Sequence, residues 1–446
     1  MSLQQQLDAD SRQALAEAWH ADSAAASLER WQELCEQQDW GKIPNDLPLL
    51  IRVFGASWYF TRFVFYRGSA ITDIIDADPR PALQREAMQA RMQAIDIEQS
   101  PDSAMEALRI VKNEIMLQIL LAELRQLQHQ ARQEACLTDL AELTLDTALR
   151  IYMHHTAPGL EEHLAVLGMG RMAGAEMNFG SDLDLIFLYP DDVPELFEQA
   201  SKLVRALLRG IAMAAPAGSL YEVDMRLRPH GAAGVLVTSA DAFRDYHCSE
   251  RDIWQRQLMT RCRPVIEADG LAGRVLADVQ PHIYADYDPE RLRVEVRDMR
   301  ARVEHELGSP AGRFELKRGR GGVMDIDFIS HYLQLLYGHH DSDLQTPSTR
   351  TALERLSQRQ RLSDAHCECL LRGYDFLKRM EARLRVFDMK PVSSIARDPE
   401  SLTTLARALD YQAEDDVAAA RQLLGDYHDV TAAVRRAFDE VTAATD

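Results

Sequence analysis

The chain has 446 residues, 46% hydrophobic, 27% charged and 7% aromatic, the composition of a soluble globular protein with two or three domains. Its 50 Lys and Arg against 70 Asp and Glu leave a net charge of −20, which excludes general binding to nucleic acid or an acidic membrane but not a local basic patch. The start has no basic-then-apolar leader, the six cysteines lack zinc-site spacing, and the most apolar window (Leu47 to Tyr66) carries Arg52 and Arg62; cytoplasmic location, reduced thiols and no membrane span are expected.

Residues 1–158 read as an N-terminal helical region rich in Ala, Leu, Gln and Glu. Within it, Leu47 to Tyr66 reads as one buried helix. Ala104 to Cys136 is the clearest helical stretch, with Met105, Leu108, Val111, Ile115, Ile119 and Leu120 at helical spacing. Pro158-Gly159 punctuates the chain, and the hydrophobic period then switches to two. His163 to Gly170 reads as a strand ending in a glycine turn, and Arg171 to Asn178 as one or two helical turns. Gly180 to Tyr189 (GSDLDLIFLY) follows as a second strand and 195–213 as a helix. Tyr221 to Pro229 (YEVDMRLRP) alternates throughout, with Tyr221, Val223, Met225 and Leu227 facing a core and Glu222, Asp224, Arg226 and Arg228 facing away. These pieces form a catalytic domain over 159–275. Beyond it, Glu290–Leu307, Val323–Tyr337, Ser348–Leu356, Asp364–Phe387 and Asp415–Thr442 predict a C-terminal helical bundle over 276–446. The fold class is α+β, mostly helical, around a small mixed sheet.

Asp182 and Asp184 share one face of a strand, because residues i and i+2 point the same way. Two neighbouring carboxylates repel unless solvated or bridged by a cation. If the Tyr221–Pro229 strand pairs beside them, Asp224 brings a third acid to the same spot. Three carboxylate oxygens at a sheet edge suit Mg²⁺, which leaves positions for water and substrate phosphates, and such ions serve in-line nucleotidyl displacement. Gly180 and Ser181 offer a close-approach backbone and a hydroxyl to a phosphate, with Arg226 and Arg228 to neutralise the rest of a triphosphate. Lys317 to Gly322 (KRGRGG) combines charge and glycine as a phosphate-facing loop does, although a solvated turn before a helix has the same pattern. Asp325 and Asp327 cannot share a helix face, so at least one is expected to complement the helix dipole.

These residues resemble the DNA-polymerase-beta-like nucleotidyltransferase superfamily. The segments GMGRMAGAEMNFGSDLDLIFLY (168–189), YEVDMRLRPHGAAGVLVTS (221–239), WQRQLMTRCRPV (254–265) and KRGRGGVMDIDFISHYL (317–333) narrow the resemblance to the glutamine synthetase adenylyltransferase/adenylyl-removing enzymes, over roughly 105–445. It implies a polymerase-beta-like nucleotidyltransferase core with Asp182, Asp184 and Asp224 as catalytic metal ligands. Gly170, Arg171, Gly180, Ser181, Arg226, Arg228 and Lys317 would hold the nucleotide. It also implies Mg²⁺ as cofactor, ATP as substrate, and glutamine synthetase and a PII-type signal protein as partners. Arg171 and Asp327 stand where the family often has Lys and Glu, with charge kept. The family carries two modules in tandem, one adding AMP to a tyrosine of glutamine synthetase and one removing it by phosphorolysis. This chain has room for one, closer to the adding half; removal and a non-catalytic nucleotide-sensing module are the alternatives. A small-molecule acceptor would need a compact pocket, whereas the helical arms favour a protein acceptor.

Overall fold

The computed structural model describes residues 7–38, 40, 44–193, 195–308 and 312–444. Of the chain, 65% is helical around a small mixed sheet, so the expected α+β class holds. Strands β1 (Ala165–Met169), β2 (Leu183–Tyr189), β3 (Val223–Asp224), β4 (Val237–Ser239) and β5 (Cys262–Ile266) form that sheet. Its order is β3-β2-β1-β5, with β4 also pairing β2. β1 runs antiparallel to β2 and β5, while β3 and β4 run parallel to β2.

Alternation along β1 and β2 feeds two cores. Val166, Leu183, Leu185 and Phe187 join a hydrophobic cluster with the N-terminal helices. Ala165, Leu167, Met169, Ile186 and Leu188 point the other way and join the helices that follow the sheet. A sheet buried on both faces reads as a continuous apolar run, which is why "LIFLY" is apolar throughout. No helix among the described residues is long and apolar enough to cross a membrane.

Four local expectations need correction. Leu47 to Tyr66 is two helices, Leu47–Ala56 and Trp58–Arg67. Ser57 breaks them with an extended backbone, its hydroxyl accepting from the Phe60 amide and donating to the Val386 carbonyl at 2.6 Å. The Ala104–Cys136 stretch is likewise split, into Pro101–Leu124 and Gln130–Thr156. Gln126 takes a left-handed φ of 55°, and the Leu127 amide reaches back to the Ala122 carbonyl at 2.8 Å, closing the first helix. After Gly170 a single helical turn forms (Gly170–Ala173), and Ala175 is left-handed at φ 56°.

The fourth correction bears on the site. The alternating run at 221–229 is a strand for only Val223 and Asp224. The Asp224 carboxylate accepts the Arg226 amide at 2.8 Å, and the Arg228 amide closes a turn onto the Met225 carbonyl at 3.3 Å. An Asp binding the backbone two residues on stabilises a turn, and here that contact overrides the period-two pattern. Past the sheet a helix that was not predicted, Leu271–Ile283, comes first, and Pro289–Leu307, Val323–Tyr337, Thr349–Gln358, Asp364–Val386 and Asp416–Val441 then follow the predicted series. The short pair β6 (Arg313–Glu315) and β7 (Ser394–Ala396) among them was unforeseen; three residues are too few to show a period.

Candidate active site

Parallel pairing of β2 with β3 sets Asp184 directly opposite Asp224. Asp182 lies two residues before Asp184, on the same side, as β2 begins. One oxygen from each of the three carboxylates lies within 4.8 Å of the others. Octahedral Mg²⁺ with ligands at about 2.0–2.1 Å sets its oxygens about 3 or 4 Å apart, so the cluster has the right dimensions. Asp182 is exposed, and Asp184 and Asp224 are half-buried.

The Asp184 and Asp224 carboxyls shift in opposite directions. Burial, then the charges of Asp182 and Asp224, push the Asp184 carboxyl up to about 7. Hydrogen bonds from Arg226 instead hold Asp224 below the usual carboxylate range. The Arg226 Nε donates to both Asp224 oxygens at 3.0 and 2.8 Å, from a side chain 78% exposed. An exposed guanidinium thus neutralises Asp224. Gly170 closes the other side: its φ is +58°, and a Cβ there would lie 2.6 Å from the Asp184 Oδ2. Only glycine lets the turn after β1 approach that carboxylate.

The remaining predicted residues divide. Lys317 lies near Asp184, whose carboxyl its charge lowers. Burial and the Arg171 charge hold the Lys317 ammonium below its usual range, and among the described residues it has no ion-pair partner. Arg228 points elsewhere, onto the carbonyls of Met225 at 2.7 Å and Gly234 at 2.9 Å, and so pins the 225–234 loop. Gly180, at φ +60°, makes room for the chain itself, since a Cβ would meet the Met389 backbone at 3.0 Å. The Ser181 hydroxyl accepts the Asn178 amide at 2.9 Å. Arg320 turns to Asp439 on the last helix.

Arg171 is the anchor of a buried charge network. Its guanidinium donates to Asp327 at 2.6 Å and to the Tyr374 hydroxyl at 2.5 Å. Arg261 also meets Asp327, at 3.0 Å, and pairs with Glu176. Glu176 accepts from the Tyr374 hydroxyl and the Thr349 amide, both at 2.7 Å. Burial raises the Glu176 carboxyl, but Arg261 and Arg171, with Tyr374, draw it down to about 2. The glycine turn is thereby bolted to the helices Val323–Tyr337 and Asp364–Val386. Asp325 is indeed a helix-start acid: buried in the first turn of Val323–Tyr337, it accepts the Gly321 amide at 2.7 Å and pairs with Arg300. Sequence reasoning missed Glu176 and Tyr374, because nothing local in either segment announces a partner some 200 positions away.

An acid triad on adjacent strands of a small mixed sheet is the arrangement of a nucleotidyltransferase core, and comparison with known proteins narrows the class. The glutamate-ammonia ligase adenylyltransferase family profile matches residues 47–277, and the GlnD PII-uridylyltransferase profile matches 293–442. Three relatives are each named bifunctional glutamine synthetase adenylyltransferase/adenylyl-removing enzyme. The one from Nitrosococcus oceani is 36% identical over 274 residues, 56% of this chain and 28% of the relative. That from Thioalkalivibrio sulfidiphilus is 29% identical over 381 residues, 80% of this chain and 39% of the relative. The match from Nitrosomonas europaea is 31% identical over 298 residues, 65% of this chain and 32% of the relative. The chain belongs to the glutamate-ammonia ligase adenylyltransferase family. It spans well under half the length of these relatives.

Proposed function

We propose that this chain is one catalytic module, transferring AMP from ATP to a tyrosine of glutamine synthetase. The convergence of Asp182, Asp184 and Asp224, set by the Asp184–Asp224 register, carries this reading. The three carboxylates would hold Mg²⁺, which supplies positive charge against the developing charge on the transferring phosphoryl group. The acceptor tyrosine oxygen forms a bond to the α-phosphorus as the bond to pyrophosphate breaks, and its proton passes to a carboxylate of the triad. Lys317 and Arg226 are the cations placed to offset the pyrophosphate charge. Arg171 orients the Gly170 turn from behind.

Phosphorolytic removal of AMP is the second reading, since the relatives' printed name covers both activities and both displacements occur at the α-phosphorus. We place the catalytic domain at 159–275, between helical regions over 1–158 and 276–446, the second of which lends it Lys317. The match of 293–442 to a PII-uridylyltransferase profile supports a PII-type protein as regulator. A cytoplasmic location fits the free cysteines. Calorimetry of ATP with and without Mg²⁺ tests the site. The reading expects Mg²⁺-dependent binding that Asp184→Asn abolishes; equal binding by the variant contradicts it.

A further inference from the structure

Lys112, in the helix Pro101–Leu124, is 3% exposed. A buried ammonium is costly unless an anion compensates it. Glu134 and Glu381 flank the equally buried Lys378, but Lys112 forms no ion pair among the described residues. It donates to the Asn113 side-chain oxygen at 3.2 Å and faces the rings of Tyr221 at 4.9 Å and Tyr59 at 5.9 Å. Burial alone pushes its ammonium down to about 7, with no opposing charge.

Lys112 also lines a cavity of about 100 Å³. A single water needs about 10–15 Å³ in this measure, so the space admits several waters or one small anion. Its wall includes Tyr59, Gly180, Ser181, Ser219 and Tyr221, and the Tyr59 hydroxyl donates to the Asn113 side-chain oxygen at 2.8 Å. Among the described residues the one acidic residue in the lining is Glu222, which is exposed. A partly open cavity lined by a buried lysine whose one hydrogen-bond acceptor among the described residues is Asn113, and by Ser181 and Ser219, has the chemistry of an oxyanion receptor. Part of its wall is Gly180-Ser181, the dipeptide that leads into Asp182, so an occupant would brace the start of β2.

We infer that the Lys112 cavity binds a small oxyanion, a phosphate or carboxylate group, in a site separate from the acid triad. The inference does not rest on AMP transfer. The chain has six lysines (Lys42, Lys112, Lys202, Lys317, Lys378 and Lys390), so selective labelling of lysine side chains gives a spectrum simple enough to titrate. The chain in EDTA is titrated with inorganic phosphate, with acetate, and with chloride at matched ionic strength. Lys112→Arg assigns the signal. A saturable shift of the Lys112 signal is expected with phosphate or acetate and none with chloride. Response to phosphate alone identifies a phosphoryl ligand, and response to acetate alone a carboxylate. Lys112→Met should weaken the anion at least tenfold by calorimetry, while Asp182→Asn, which destroys the proposed metal site, should leave it unchanged. The Lys112 signal in wild-type protein decides the matter even if Lys112→Met fails to fold. Absence of a saturable shift with either anion, or unchanged affinity in a folded Lys112→Met, would overturn the inference.

Discussion

Asp182, Asp184 and Asp224 have different surroundings, and their variants separate chemistry from folding. Asp→Asn at any of them removes a proposed metal ligand, so turnover should vanish while the melting temperature stays near wild type. A normal transfer rate in Asp182→Asn would rule out the metal reading. Metal and proton compete for Asp184, whose carboxyl burial and two acids push up to about 7. Mg²⁺ should therefore raise the melting temperature more at pH 8 than at pH 6; an equal rise at both would show that Asp184 is not a ligand. Gly170→Ala tests the glycine turn. A left-handed Ala costs about 1–2 kcal/mol, and its Cβ would push Asp184 from the triad. Activity should fall far more than that stability loss explains, as measured by kcat beside a denaturant melt.

Among the elements, the glycine turn, β2 and β3 form the site, and the helix Val323–Tyr337 holds them from behind through Asp327. Asp327→Asn would leave Arg171 and Arg261 buried with Glu176 as their one shared carboxylate, at up to about 3–5 kcal/mol when a buried pair is broken, readable in a urea melt. Acid should act through the same network. Glu176 is drawn down to about 2 from an ordinary 4.5, so its contribution is present above pH 4.5 and is lost as pH falls toward 2. Glu176→Gln should flatten the stability profile over that window; an unchanged slope would place the acid sensitivity elsewhere. The triad was legible because period two and a D-x-D spacing are local, and because β3 pairs where the three acids needed it. The partners of Arg171 were not legible. Burial set 156 positions away, at Asp327, decides whether an arginine faces a phosphate or a carboxylate. The helix series after 275 was readable from its apolar spacing, whereas the break at Ser57 was hidden by apolar residues on both sides and the break at Gln126 has no Gly or Pro to mark it.

For the whole molecule, the two faces of the sheet belong to different hydrophobic clusters, one shared with the N-terminal helices and one with the C-terminal helices. A fragment of 159–275 would expose Leu185 and Phe187 on one side and lose much of the cover over Ile186 and Leu188 on the other. It should be insoluble or molten by near-UV circular dichroism, and a cooperative melt of that fragment would show that the helical arms are accessory. The charge of −20 suits a protein acceptor that meets a local cationic site, not a polyanion. The most direct test of the central claim mixes the purified chain with unmodified glutamine synthetase, Mg²⁺ and ATP labelled at the α-phosphate, beside the Asp184→Asn variant. The account predicts label on a synthetase tyrosine with the wild-type chain and none with the variant. Equal labelling by both would contradict the triad's role. No labelling, together with ADP release from adenylylated synthetase and phosphate, would make this the AMP-removing module.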